Sequence, residues 1–136
     1  MCVQLNENME CIVNKRVNIL MSTYNGARHI CRQMDSILKQ DYDNIHVYVR
    51  DDGSKDNTVE ILEKYEKTDK RVTIVRDNLG NLGVPYSFYR LMTVCPAGDY
   101  YAFADQDDEW KKEKIRYAAE TLICEEEKNV SGTKKP

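Results

Sequence analysis

Four short apolar or alternating runs punctuate the chain. Each is followed by a polar, turn-rich stretch and then, with one exception, by apolar residues at helical spacing. "VNILMS" (17–22) is a continuous apolar run ending in the turn signal "TYNG" and predicts a buried strand. Ile30, Met34, Ile37 and Leu38 then recur at helical spacing across 28–40. "IHVYVRD" (45–51) is β-branched and alternating, a second strand. After the loop "DGSKDN", Asn57 and Glu60 have the spacing of an N-cap and its capping-box partner, opening a helix that buries Val59, Leu62 and Tyr65. "RVTIVRD" (71–77) predicts a third strand and "NLGNLG" a turn. Pro85 suits the first turn of a helix running to about Cys95, where its missing N–H costs nothing. "GDYYAFAD" (98–105) predicts a fourth strand, and Ile115, Ala119, Leu122 and Ile123 mark a last helix over 111–128. Residues 1–16 read as a lead-in, 17–128 as one domain, and 129–136 as a polar, frayed tail.

Strands alternating with helices imply βαβ units and a mostly parallel sheet, an α/β fold. In such sheets ligands sit beyond the carboxyl ends of the strands. The segments that leave those ends are "STYNG", "DDGS", "DNLGNLG" and "DQDDEW", the most polar pieces of the chain. They belong on one edge of the sheet, and a site belongs there with them.

Composition narrows the class. The 136 residues fit one domain, and 41% hydrophobic with 32% charged residues is a globular balance. A net charge of −3, with both signs interspersed, gives no reason to expect a nucleic-acid partner. The first residues lack the pattern of a signal peptide, and no apolar run is long enough to span a bilayer. Five scattered cysteines without a CxxC spacing fit free thiols in a reducing compartment, hence the cytoplasm.

The concentrated chemistry is in "FADQDDEW", where Asp105, Asp107 and Asp108 crowd like charges that need an offset. Acids on strand-end loops suit a hard divalent cation, Mg²⁺ or Mn²⁺, held by one or two carboxylates plus phosphate oxygens. Asp105 and Asp107 have the D-x-D spacing, and an extended segment would put both on one face. Asp108 would point elsewhere and cap the next helix. Against this stands the plainer reading that all three cap or face solvent, since D-x-D is short. An EF-hand is excluded, with no Gly at the sixth loop position and no Glu at the twelfth. Asp51 and Asp52 are either a turn or an acceptor for a base or ribose, and Tyr24 either a core ring or a base stacker. The "NLGNLG" loop lacks the spacing of a phosphate cradle. His29 and His46 have no triad partners near them in sequence, and Trp110 reads as a ring that packs its loop against the sheet.

The stretch "VNILMSTYNGARHICRQMDSILKQDYDNIHVYVRDDGSKDNTVEILEKY", followed by "NLG" and "FADQDDEW", resembles the N-terminal half of family 2 glycosyltransferases over about residues 16–120. The "DQDDEW" form is most similar to rhamnosyltransferase-like members and to those that transfer sugars to cell-surface polysaccharides. The resemblance implies a Rossmann-like α/β fold of the GT-A type and an inverting sugar transfer. It implies a UDP- or dTDP-sugar donor with Mn²⁺ or Mg²⁺, and a glycan or lipid-linked acceptor. By position, Ser22, Thr23 and Tyr24 match the first donor-binding loop, and Asp52, with Asp51 beside it, matches the acid that reads the base. Asp105 and Asp107 match the metal-binding D-x-D, with Asp107 favoured as the direct ligand. The family's acceptor half and its acidic general base have no counterpart in this sequence; Glu109 and Glu113 do not match that base. The expectation is a donor-binding half: part of a larger enzyme, a non-catalytic nucleotide-sugar or metal-binding module, or a chain completed by a partner. The strand before the acids should be a sheet edge, which invites self-association. A receiver-like domain fits the order of motifs poorly.

Overall fold

The computed structural model describes residues 15–132, with side chains to 128. The strands are β1 (Val17–Thr23), β2 (Ile45–Asp51), β3 (Val72–Ile74) and β4 (Tyr100–Asp105). They form one sheet in the order β3-β2-β1-β4, with every pair parallel. The helices are α1 (Ile30–Leu38), α2 (Thr58–Thr68), α3 (Val84–Val94) and α4 (Lys114–Gly132). The expected lead-in falls almost wholly outside the described residues, and so does the end of the expected tail.

β1 is central and buried on both faces, which is why its apolar run is continuous rather than alternating. Its odd positions, Val17, Ile19 and Met21, pack with Val47 and Val49 of β2 into the main core. Ile30, Met34 and Ile37 of α1, Leu62 of α2, and Ile115, Ala119 and Ile123 of α4 close that layer. The opposite face is thinner. There Leu20, Tyr48 and Leu91 form a small second cluster under α3, with Val75, Phe88 and Cys95 against it.

Several expected details shift. β3 is only three residues long, although the Val75 amide still donates to the Val49 carbonyl at 2.8 Å. Asn57 occupies the N-cap position of α2 without a side-chain cap bond. Asp56 does that work instead, its Oδ1 accepting from the Thr58 amide at 3.0 Å. Val59 and Tyr65 are half-buried, so Leu62 anchors the helix with Thr58. In α4 the inward stripe is Ile115, Ala119 and Ile123 at a spacing of four, which turns Leu122 out to solvent. That helix starts at Lys114, later than expected, and runs to Gly132, into the stretch expected to fray.

Candidate functional site

Register builds the site. Ser22 of β1 lies opposite Arg50 of β2 on one side and opposite Asp105 of β4 on the other. Side chains alternate along a strand, so all three stand on the α3 face at the carboxyl end of the sheet. Thr23 lies opposite Asp51, one step further on. A cavity of about 170 Å³ opens at this edge. Ser22, Thr23, Tyr24 and Asp52 line it from the first two strand ends, Val84 and Phe88 from α3, and Asp105, Gln106 and Asp107 from the loop after β4. Six of the seven residues singled out from the sequence therefore meet around one cavity.

The seventh, Asp51, holds the loops together behind that cavity. Its Oδ1 accepts from the Thr23 hydroxyl at 2.8 Å and the Ser54 hydroxyl at 2.6 Å. Its Oδ2 accepts from the Gly53 and Ser54 amides at 3.2 and 2.8 Å, closing the "DDGS" turn. Gly53 takes a φ of 91°, a conformation that favours glycine there. The turn is stitched to the first loop: the Asn25 amide donates to Ser54 Oγ and the Lys55 amide to Asn25 Oδ1, both at 2.8 Å.

The loop after β4 is latched to the first loop by Gln106. Its Oε1 accepts from the Tyr24 amide at 2.7 Å, and its Nε2 donates to the Tyr24 carbonyl at 2.9 Å. The latch fixes the backbone of Tyr24 while its ring stays exposed. Gly26 leaves the room for it, since a Cβ there would come within 2.3 Å of the Gln106 amide oxygen.

Asp52 is buried and its carboxylate is engaged. Oδ1 accepts from Arg50 Nη1 at 2.6 Å and from the Leu82 amide at 2.7 Å, and Oδ2 accepts from the Gly83 amide at 3.0 Å. The amides of the "NLGNLG" loop that open α3 are thus directed at a protein carboxylate, in keeping with the reading of that loop as a turn. Arg50 also forms a bidentate pair with Asp77, Nε to Oδ2 and Nη2 to Oδ1, both at 3.1 Å. The Arg50 guanidinium holds the Asp77 carboxyl down at about 2. Ser87 joins the network, accepting from Arg50 Nη1 at 3.2 Å and from the Ser22 hydroxyl at 2.7 Å. Arg50, Asp77, Ser87 and Gln106 were not singled out from the sequence. Arg50 did leave a signal: the alternation of "IHVYVRD" puts a permanent cation on a buried face, where it needs acidic partners.

Asp105 and Asp107 both reach the cavity and are exposed, and among the described residues no ion pair engages either. The route differs from expectation. β4 ends at Asp105 and the chain turns at once, the Asp108 amide donating to the Asp105 carbonyl at 3.4 Å. The two acids therefore do not share a face by strand alternation. Asp108 accepts from the Glu109 amide at 3.0 Å and does not cap α4, which begins at Lys114. Among the described residues no three His, Cys, Asp or Glu side chains gather as a metal cage. Two exposed carboxylates with room for water and phosphate oxygens still fit a hard cation that keeps much of its own shell.

The remaining sequence features lie elsewhere. Trp110 is buried in the main core with Lys114 Nζ 4.5 Å from its ring centre, as expected of a packing ring. His29 is exposed at the start of α1. His46 lies against Tyr48 with its Nε2 2.7 Å from Thr73 Oγ1. A wider groove lies between α1 and residues 109–112 and is lined by none of the seven residues expected at the site.

Known proteins share this architecture. A dTDP-rhamnosyl transferase of Shigella flexneri, RfbG, is 35% identical over 106 residues, which is 76% of this chain and 37% of that protein. The chain spans about a third of the length of such curated relatives. Crystal structures of TarS 1–349 of S. aureus, including a complex with UDP, superpose with a TM-score of 0.68 at 29% identity, over 76% of this chain and 31% of that one. A mannosyltransferase of Pyrobaculum calidifontis in complex with GDP-Man and Mn²⁺ gives 0.71 at 25% identity, over 78% and 32%. The parallel sheet with flanking helices is the expected GT-A fold. The family model for glycosyl transferase family 2 matches residues 18–134, nearly the whole described chain, and the protein belongs to that family.

Proposed function

We propose that the chain binds the donor of a glycosyltransferase, a nucleotide-diphosphate sugar of the UDP or dTDP class. The full protein would transfer that sugar, with inversion, to a glycan or lipid-linked acceptor of the cell surface. One observation carries the reading: Ser22, Thr23, Tyr24, Asp52, Asp105 and Asp107 come from three separate strand ends and line one cavity. The names of relatives support the donor class, since RfbG is a dTDP-rhamnosyl transferase and TarS was crystallised with UDP and UDP-GlcNAc.

In this reading Ser22, Thr23 and Tyr24 hold the nucleotide, the Tyr24 ring being exposed beside the cavity. Asp52 accepts a hydrogen bond from the base, and Asp51 keeps the loop around it in shape. Asp105 and Asp107 hold Mn²⁺ or Mg²⁺, with Asp107 the direct ligand. The cation supplies neutralisation of the diphosphate leaving group. The role is cytoplasmic, at the inner face of the membrane. Free thiols at Cys31, Cys95 and Cys124 support that compartment, and among the described residues no helix is long and apolar enough to cross a membrane. Self-association through β4 belongs to the same reading. Among the described strands β4 pairs only with β1, and its Tyr101 and Phe103 are exposed.

The test is calorimetry and thermal shift with UDP, dTDP and GDP, each with Mn²⁺ and with EDTA. A ligand that binds only the folded state adds about 2.7 kcal/mol at a hundredfold excess over its Kd. The expected result is binding of a uracil or thymine nucleotide that EDTA abolishes. Absence of binding by all three would refute the donor site.

A further inference from the structure

We propose that Arg50 is a positioning residue of this pocket. It fixes the Asp52 carboxylate so that Oδ2, and not Oδ1, is the oxygen offered to the nucleotide base, and it ties the α3 wall to the end of β2. The inference rests on the donor-pocket reading above. Arg50 is 1% exposed and cannot touch a ligand itself. A guanidinium has five N–H donors. Here it makes five hydrogen bonds: to Asp77 Oδ2 and Oδ1, the Gly80 carbonyl at 2.8 Å, Asp52 Oδ1 and Ser87 Oγ. Nothing in that set is free to rotate toward the cavity.

The consequence falls on Asp52. A carboxylate oxygen accepts about two hydrogen bonds. Oδ1 already holds two, from Arg50 and the Leu82 amide, and is filled. Oδ2 holds one, from the Gly83 amide, and keeps one acceptor position at a cavity that Asp52 lines. A single acceptor of negative charge suits a single ring N–H, the imide of a uracil or thymine. The same cation fixes the wall. Asp77 and Gly80 begin the loop that leads into α3, and Ser87 lies in its first turns, between Val84 and Phe88, which line the cavity. Burying a cation with two carboxylates contributes little net stability compared with apolar packing. Orientation is what the apolar alternative would lack.

That comparison supplies the experiment. The double variant Arg50→Met with Asp77→Leu removes the buried cation and one of its anions together, leaves Asp52 with the Leu82 and Gly83 amides, and is checked for folding by circular dichroism before it is assayed. Two readouts are taken on it: hydrogen exchange of the Leu82 and Gly83 amides by NMR, and calorimetric affinity for UDP with Mn²⁺. The expected result is a folded variant whose two amides exchange at least about tenfold faster and whose UDP affinity falls by about tenfold or more. Retained protection and retained affinity in the folded variant would overturn the proposal. A purely structural role predicts that outcome. If the double variant does not fold, Arg50→Lys serves: it keeps the charge with three donors for five and should lose affinity, whereas unchanged affinity and protection would overturn the idea. If the unaltered chain binds no nucleotide, the donor reading fails. The exchange arm then still decides the positioning of Asp52, with retained protection against it and lost protection for it.

Discussion

At the scale of single residues, the acids of this protein divide by what already holds them. Asp51 and Asp52 are engaged by backbone amides, hydroxyls and Arg50, whereas Asp105 and Asp107 are exposed and without an ion-pair partner among the described residues. Exposed carboxylates can be neutralised at little cost to folding. Asp107→Asn is therefore expected to leave the thermal midpoint near its original value and to weaken Mn²⁺-dependent nucleotide binding by about tenfold, about 1.4 kcal/mol. Equal affinity in calorimetry would remove Asp107 from the metal site. Asp77 behaves in the opposite way. Its folded carboxyl is lowered from 3.8 to about 2 by Arg50, so its contribution to stability is present above pH ~4 and is lost as pH falls towards 2. Asp77→Asn should lower the thermal midpoint at neutral pH, with the gap to the unaltered chain closing between about pH 4 and pH 2. A gap that stays constant over that range would contradict the pair.

At the scale of elements, the two faces of the sheet are built unequally. Among the described residues three helices cover one face with a large core, and α3 alone holds the other through Leu91 against Leu20 and Tyr48. The helix with the thinner anchorage is also the wall of the cavity. Leu91→Ala and Leu62→Ala both empty fully buried positions, and each should cost about 2–5 kcal/mol in denaturant unfolding. They differ in function. Leu91→Ala loosens the α3 wall and should lower nucleotide affinity as well, while Leu62→Ala, in the other layer, should leave affinity unchanged under conditions where the chain is folded. Identical affinities for the two variants would show that the wall does not depend on that cluster.

At the scale of the whole molecule, β3 and β4 are the two edges of the sheet among the described residues, and β4 carries exposed Tyr101 and Phe103, the latter edge-on to Phe88 at 5.4 Å between ring centres. Unpaired backbone beside exposed aromatic rings favours strand pairing. Light scattering should give a mass that rises with concentration, and Phe103→Lys should hold it at the single-chain value by placing a charge on the edge. A constant mass for the unaltered chain would remove self-association from the reading.

Much of this arrangement was legible in the linear sequence, because it rests on local rules. Apolar runs, turn residues and helical spacing set the four strands and four helices, and the parallel rule sent the polar post-strand loops to one edge. Six of the seven residues expected at the site meet there for that reason. Only the tertiary structure decided the partners. The spacing of Asn57 and Glu60 could not show that Asp56 would take the cap, nor could D-x-D show that the chain turns directly after Asp105. The network around Arg50 joins residues up to 65 positions apart. No periodicity records such pairs, because the burial of a cation is compensated by whichever acids the fold brings to it. The sequence determined which edge would carry the chemistry. The packing of α3 and the loops around the ends of β1 and β2 determined that Asp51, Asp52 and Asp77 are engaged within the fold while Asp105 and Asp107 stay exposed, because each carboxylate is compensated by whichever donors the fold brings to it.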